Sequence, residues 1–179
     1  MTHRIILFRG MNTGGVRAPV AEQRVMAAAM GLKNPRTLLA SGNLVVETDC
    51  APDALEHDIE AAMEKTFGLK VAAMVRTREQ WAALIAANPF AAEATAHPSK
   101  MLAMVMKAGI RDGALEACRD LAEGGERVEA IEDVLYFWFP NGQGESGIFK
   151  KAMPRMLGMG TGRNWNTVLK LADMVGLTR

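Results

Sequence analysis

The feature that most constrains this chain is the order of its hydrophobic periods over residues 4–75, where short apolar runs alternate with longer amphipathic stretches. Arg4-Ile5-Ile6-Leu7-Phe8, bounded by Gly10, Gly14 and Gly15, predicts a strand buried on both faces and followed by a loop. Pro19 opens a helix that runs through Met30, with Ala21, Val25, Ala28 and Ala29 on one face and Gly31 closing it. Arg36 to Ala40 and Leu44 to Thr48 read as extended stretches around Ser41-Gly42-Asn43, a compact turn in which Gly or Asn takes positive φ. Pro52 starts a second helix with the stripe Leu55, Ile59, Ala62 and Met63, while Asp53, Glu56, Asp58, Glu60 and Glu64 fall on its other faces as a solvated surface. Val71 to Val75 then reads as a strand. The order βαββαβ predicts an α+β fold whose residues 1–76 form a ferredoxin-like unit, the split βαβ or α/β-plait.

Residues 77–99 read as a connecting helix and loop. Thr77 and Gln80 have capping-box spacing, Trp81, Leu84 and Ile85 face inward, and the helix ends near Asn88-Pro89, with a loop to Ser99. Residues 100–179 repeat the pattern in part: a strand at Met101 to Lys107, a helix from Arg111, and extended segments at Arg127 to Ile131 and Val134 to Phe139. Helical segments at Ile148 to Leu157 and Asn164 to Val175 stand where a last helix and strand would complete the repeat. The expectation is a second, related but incomplete α+β unit with C-terminal helices.

Composition sets the outer limits. A chain of 179 residues, 49% apolar and with 21 Lys and Arg against 20 Asp and Glu, is of globular type and long enough for one domain or two small ones. Cys50 and Cys118 have no CxxC or Cys/His spacing, so neither a disulfide scaffold nor a metal site is expected, and a cytoplasmic location follows as the default. Runs such as Met101 to Met106 and Val134 to Phe139 fall far short of the ~20 residues of a membrane helix. Ile5 to Phe8 is too short for a signal-peptide core. His3, His57 and His97 are scattered, and Ser41, Ser99 and Ser146 lack a GxSxG context, so no hydrolytic nucleophile, metal or cofactor is expected. The strand Tyr136-Phe137-Trp138-Phe139 has aromatics on both faces, which permits base stacking. Without basic residues of its own, it reads more simply as buried between domains or subunits.

A candidate site follows from topology. In a split βαβ unit the loop Arg9-Gly10-Met11-Asn12-Thr13-Gly14-Gly15, the helix start near Pro19 and the turn Ser41-Gly42-Asn43 share one end of the sheet. Glycine-rich backbone and a helix N-terminus suit an anion, and Arg9 offers a bidentate donor. The pattern is neither a P-loop nor GxGxxG, and tight turns alone would also account for it. Charge is segregated along the chain. Residues 1–46 hold Arg4, Arg9, Arg17, Arg24, Lys33 and Arg36 against Glu22 alone, and residues 146–172 hold Lys150, Lys151, Arg155, Arg163 and Lys170 with no acid. Such runs also arise as solvated faces or internal ion pairs. A pI near 7.8 argues against strong non-specific binding to nucleic acid, for which a basic domain above about 9 is typical.

The segment Gly158 to Thr167 packs glycines and then amides. Thr161 or Asn164 can cap a helix with the stripe Trp165, Val168, Leu169, Ala172 and Val175. Arg163, Asn164, Asn166 and Thr167 then stand at a helix start as a second potential anion site. Capping and surface solvation explain them equally well, except that an Arg there opposes the macrodipole and often has a partner carboxylate or a ligand. Together, Arg9-Gly10-Met11-Asn12-Thr13-Gly14-Gly15, Ser41-Gly42-Asn43 and Thr161-Gly162-Arg163-Asn164-Trp165-Asn166-Thr167-Val168 resemble the hallmark segments of the bacterial domain-of-unknown-function 1697 family. The resemblance runs over nearly the whole chain and implies ferredoxin-like α/β-plait subdomains, but no activity and no catalytic residues. Relatives often carry a Lys or Asn-Lys after the paired glycines, where this chain has Val16-Arg17-Ala18.

The resulting expectation is a binding site for a phosphate-bearing ligand, a nucleotide or nucleic acid, formed by Arg9, Asn12, Gly14, Gly15, Ser41, Asn43, Arg163, Asn164 and Asn166. Two alternatives stand beside it: an enzyme acting on a small anionic metabolite, or a structural or interaction protein whose sheet is covered by a second copy in a homodimer. No membrane partner is expected.

Overall fold

The computed structural model describes residues 1–11, 17–40, 42–152 and 154–177. The chain forms two compact units, Met1–Ala82 with Leu171–Arg179, and Ala83–Lys170. The expected division into 1–76, 77–99 and 100–179 differs in two places: no separate connector stands between the units, and the chain from Leu171 on groups with the first.

In the first unit the order is β1 (Thr2–Arg9), α1 (Val20–Ala29), β2 (Lys33–Thr37), β3 (Asn43–Thr48), α2 (Pro52–Phe67) and β4 (Ala72–Thr77). The sheet order is β2-β3-β1-β4, with every neighbouring pair antiparallel. Alternation decides the faces: Ile6, Phe8, Leu44, Val46, Ala73 and Val75 join Met26 and Ala27 of α1 and Leu55, Ile59 and Met63 of α2 in one core. Ile5, Leu7, Val45 and Met74 on the opposite face are buried as well, as the unbroken apolar run in β1 predicts. Helix α2 ends where Gly68 takes φ 68° and its amide bonds to the Glu64 carbonyl.

Two expectations about the helices fail here. The buried face of α1 is Gln23, Met26 and Ala27, and Val25 is 70% exposed. A glutamine can occupy that face because its Nε2 donates to the Ala18 carbonyl at 2.6 Å, which offsets the cost of burying the amide. On α2, Glu56 is buried rather than solvated. Its Oε1 accepts the Val75 amide at 2.9 Å, and Glu60 Oε1 accepts that of Ala73 at 2.8 Å.

Helix α3 (Arg78–Ala86) follows β4 and runs into the second unit. Its start is the reciprocal box that the sequence announces: the Thr77 amide donates to Gln80 Oε1 at 2.8 Å and the Gln80 amide to Thr77 Oγ1 at 3.0 Å. The expected loop Pro89 to Ser99 instead contains α4 (Ala91–Ala96) and a 3-10 turn, Pro98–Lys100.

The second unit continues with β5 (Met101–Met106), α5 (Ala114–Leu121), β6 (Arg127–Ile131), β7 (Val134–Trp138), α6 (Gly147–Lys151), α7 (Pro154–Leu157), β8 (Gly160–Asn164) and α8 (Trp165–Met174). Its sheet order is β6-β7-β5-β8, again antiparallel throughout. The repeat is therefore complete, contrary to the sequence expectation. Gly160-Thr161-Gly162-Arg163-Asn164 is its closing strand. A Cβ at Gly162 would lie 3.0 Å from Leu102 Cδ2, and one at Gly160 would collide with Met106 Sδ. Glycine here permits close approach of β8 to β5, and it also removes the β signal that a sequence reading depends on.

Both faces of β7 are buried. Phe137 and Phe139 stack at 5.6 Å within the second core, and the Tyr136 hydroxyl donates to the Leu84 carbonyl at 2.7 Å. All four aromatics of residues 136–139 are buried, so none offers a platform for bases.

Candidate functional site

Register brings the end of β1 to the start of β3. Leu7 faces Asn43 across the ladder, and the Phe8 amide donates to the Gly42 carbonyl at 2.9 Å. Arg9 and the β2–β3 hairpin tip thus share one end of the sheet, as the topology predicts. Gly42 has φ 85°, and a Cβ there would lie 2.8 Å from Met11 Cγ and 3.0 Å from Phe8 Cβ. The residue is fixed as glycine twice, by conformation and by space.

Asn43 is 1% exposed, and its Nδ2 donates to the Leu38 carbonyl at 2.9 Å while the Leu38 amide donates to the Asn43 carbonyl at 3.0 Å. Its amide group thus closes the hairpin from within. The next residue, Leu39, has φ 60° and is 55% exposed, a strained conformation for a leucine.

Ala18, just ahead of α1, belongs to the same apolar cluster as Phe8 and Met11, so the helix enters the core beside the end of β1. Pro19 at its N-cap position provides no side-chain cap, and the first-turn amides keep their partial positive charge. Arg17 is exposed and Arg9 half-buried at this end. Gln23 Oε1 is buried and has no hydrogen-bond partner among the described residues. A polar residue inside a helical repeat carries no signal in the sequence that would single it out.

The remaining basic residues of the N-terminal stretch are partly committed to structure. Arg4 is buried and donates to the Cys50 and His3 carbonyls, and Arg24 Nη1 donates to Thr37 Oγ1 at 2.6 Å. Arg36 Nη2 donates to the Met174 carbonyl at 2.5 Å.

The C-terminal residues have roles of their own. Arg163 lies in β8, not at a helix start, and is 7% exposed. Its Nη1 donates to Thr161 Oγ1 at 2.7 Å and to the Gly162 carbonyl at 2.9 Å, and burial pushes its guanidinium down to about 10. Asn164 caps α8, as expected, with Oδ1 accepting the Thr167 amide at 3.1 Å. Asn166 is exposed and Trp165 is core.

Of the nine expected site residues, Arg9 and Asn43 come together in the first unit, while Arg163, Asn164 and Asn166 belong to the second. Asn12, Gly14, Gly15 and Ser41 lie outside the described residues. Among the described residues there is no His, Cys, Asp and Glu group that could hold a metal ion. No described helix is long and apolar enough to cross a membrane. Ser146, one of the serines set aside above, caps α6 by accepting the Phe149 amide at 3.2 Å.

The solved structure of a conserved bacterial protein, SP0830 from Streptococcus pneumoniae, has the same fold. Its TM-score is 0.78 at 19% identity, over 97% of this chain and 98% of that one. No curated protein matches the sequence. A family model described as "Protein of unknown function (DUF1697)" matches residues 1–136, a span that includes the Arg9 loop and the Ser41 turn and stops short of the Thr161 to Val168 segment. With that match over most of its length, the chain belongs to the DUF1697 family.

Proposed function

We propose that the first unit binds a phosphate-bearing ligand, a nucleotide or a short nucleic-acid segment, at the end of the sheet where β1 leaves and β3 enters. The observation that carries this reading is the Phe8 to Gly42 hydrogen bond of 2.9 Å, which sets Arg9 beside the hairpin tip. The start of α1, which has no side-chain cap among the described residues, and the exposed Arg17 add positive potential at the same end. Arg9 and Arg17 supply the charge, and Asn43 holds the hairpin in shape without touching the ligand. Asn12, Gly14, Gly15 and Ser41 complete the site in this reading. Arg163 and Asn164 are left out, because their side chains already serve β8 and α8.

We also infer that both units are ferredoxin-like α/β-plaits, which the matching strand orders β2-β3-β1-β4 and β6-β7-β5-β8 support. Two free thiols, Cys50 and Cys118, accord with a reducing compartment such as the cytoplasm.

Calorimetric titration with inorganic phosphate, a nucleoside triphosphate and a short single-stranded oligonucleotide tests the site. Binding should weaken with added salt and fall at least roughly tenfold in Arg9→Ala, as loss of one charge-assisted contact predicts. Absence of binding to all three probes, or equal binding by Arg9→Ala, overturns the reading.

A further inference from the structure

The four-stranded sheet of the first unit ends at β4, and an edge strand offers a row of backbone groups to any other strand. In β4 three of those groups, the Ala73 amide and the amide and carbonyl of Val75, are already engaged. Ile6 of β1 stands opposite Val75 and Phe8 opposite Ala73, and at these two positions the β4 amides turn away from β1. The Val75 amide donates to Glu56 Oε1 at 2.9 Å and the Ala73 amide to Glu60 Oε1 at 2.8 Å. Glu56 and Glu60 are one helical turn apart on α2, which matches the two-residue step between outward amides of a strand. The Val75 carbonyl, on the same outward side, accepts Arg76 Nη1 at 2.9 Å, and Arg76 Nη1 lies 3.8 Å from Glu56 Oε1. Val75 therefore has its amide and its carbonyl both occupied by side chains of this chain.

The second unit repeats part of the arrangement. Gly162 of β8 stands opposite Met104 as Val75 stands opposite Ile6, and its carbonyl accepts Arg163 Nη1 at 2.9 Å. In both units a buried arginine of the last strand folds back onto the carbonyl of the residue before it.

We propose that Glu56, Glu60 and Arg76 form an edge guard, which occupies the Ala73 and Val75 amides and the Val75 carbonyl of β4 and so prevents that strand from pairing with β4 of a second copy of this chain. The other edge of the sheet uses a different protection: β2 carries Lys33, Pro35 and a register shift between Lys33 and Arg36, each of which disfavours pairing.

Amide hydrogen exchange on the intact wild-type protein is the first test. The guard predicts that the Ala73 and Val75 amides are protected like ladder amides, and exchange at the rate of an open edge overturns it. The double variant Glu56→Ala with Glu60→Ala should exchange both amides roughly tenfold faster or more when dilute. As concentration rises, it should form dimers in light scattering in which both amides become protected again. Glu56→Gln with Glu60→Gln retains an acceptor oxygen at each position and should match the wild type in light scattering. A folded alanine variant that gains no mass over the wild type, or one that associates while these amides stay unprotected, rejects the guard. If the double alanine variant does not fold, Glu60→Ala alone decides: the Ala73 amide should accelerate and the Val75 amide should not.

Discussion

The Phe8 amide and the Gly42 carbonyl, 2.9 Å apart, join the end of the first strand to a hairpin more than thirty residues later. Gly42 lies at φ 85°, and a Cβ there would meet Met11 Cγ at 2.8 Å, Phe8 Cβ at 3.0 Å and the Phe8 carbonyl oxygen at 3.2 Å. Gly42→Ala should therefore lower stability by about 1–3 kcal/mol, from the strained φ and the displaced neighbours together. Urea unfolding checks it. Gly10→Ala shares the positive φ of 74° but meets nothing within 4 Å among the described residues, so its loss should be the smaller of the two.

Much of the architecture is legible in the letters because it depends on burial. Ile5 to Phe8 read as a two-sided strand, the stripe Leu55, Ile59 and Met63 reads as a helix face, and all of them are core. What escapes is whatever depends on partners distant in sequence. Gln23 and Glu56 look like surface residues until Ala18 and Val75 supply their hydrogen bonds. Strand β8 looks like a glycine loop until Leu102 and Met106 are seen to need the space. The same limit applies to the site. The meeting of Arg9 with the hairpin follows from strand order alone, whereas the role of Arg163 depends on which strand edge its guanidinium reaches.

The two thiols should differ sharply in reactivity. Cys118 is fully buried in the second core, and burial pushes its thiol up to about 11, whereas Cys50 is half-buried. A thiol-specific reagent at neutral pH should modify Cys50 in the native protein and Cys118 only on unfolding. The linkage has a definite sign. An unfolded thiol titrates near 8.5, so the contribution of Cys118 to stability is complete below that pH and declines as pH rises from there towards 11. Cys118→Ser should remove that part of the alkaline decline while lowering stability at neutral pH, read by urea unfolding across the pH range.

The end of α8 is held by arginines. Arg78 Nε and Nη2 donate to the Val175 and Gly176 carbonyls, each at 2.9 Å, and Arg36 reaches the Met174 carbonyl. These carbonyls have no further turn of helix to accept from, and cations there also favour the dipole. Arg78→Ala should free the last turn, with faster exchange of the Val175 and Leu177 amides and a loss of about 1–2 kcal/mol in global stability. Arg78→Lys cannot serve both carbonyls with the same fork and should restore only part of it. Exchange at these two amides in Arg78→Ala that matches the wild type would show that the clamp contributes nothing.

The Tyr136 hydroxyl donates to the Leu84 carbonyl at 2.7 Å in a fully buried setting, and it ties β7 to α3 within the second unit. Tyr136→Phe keeps the ring and removes the donor, leaving the carbonyl of Leu84 without this bond, so stability should fall by about 1–2 kcal/mol. Burial, with Asp133 adding like charge, raises the ionisation of this hydroxyl above the ordinary phenol range. Because the neutral form is the one that fits, the contribution is fully present below the unfolded phenol value near 10 and is lost as pH rises beyond it. Wild type should lose stability above that pH faster than Tyr136→Phe does, and the two should converge in strong alkali. Parallel curves across the whole alkaline range would mean that the hydroxyl ionises as freely in the folded chain as in the unfolded one.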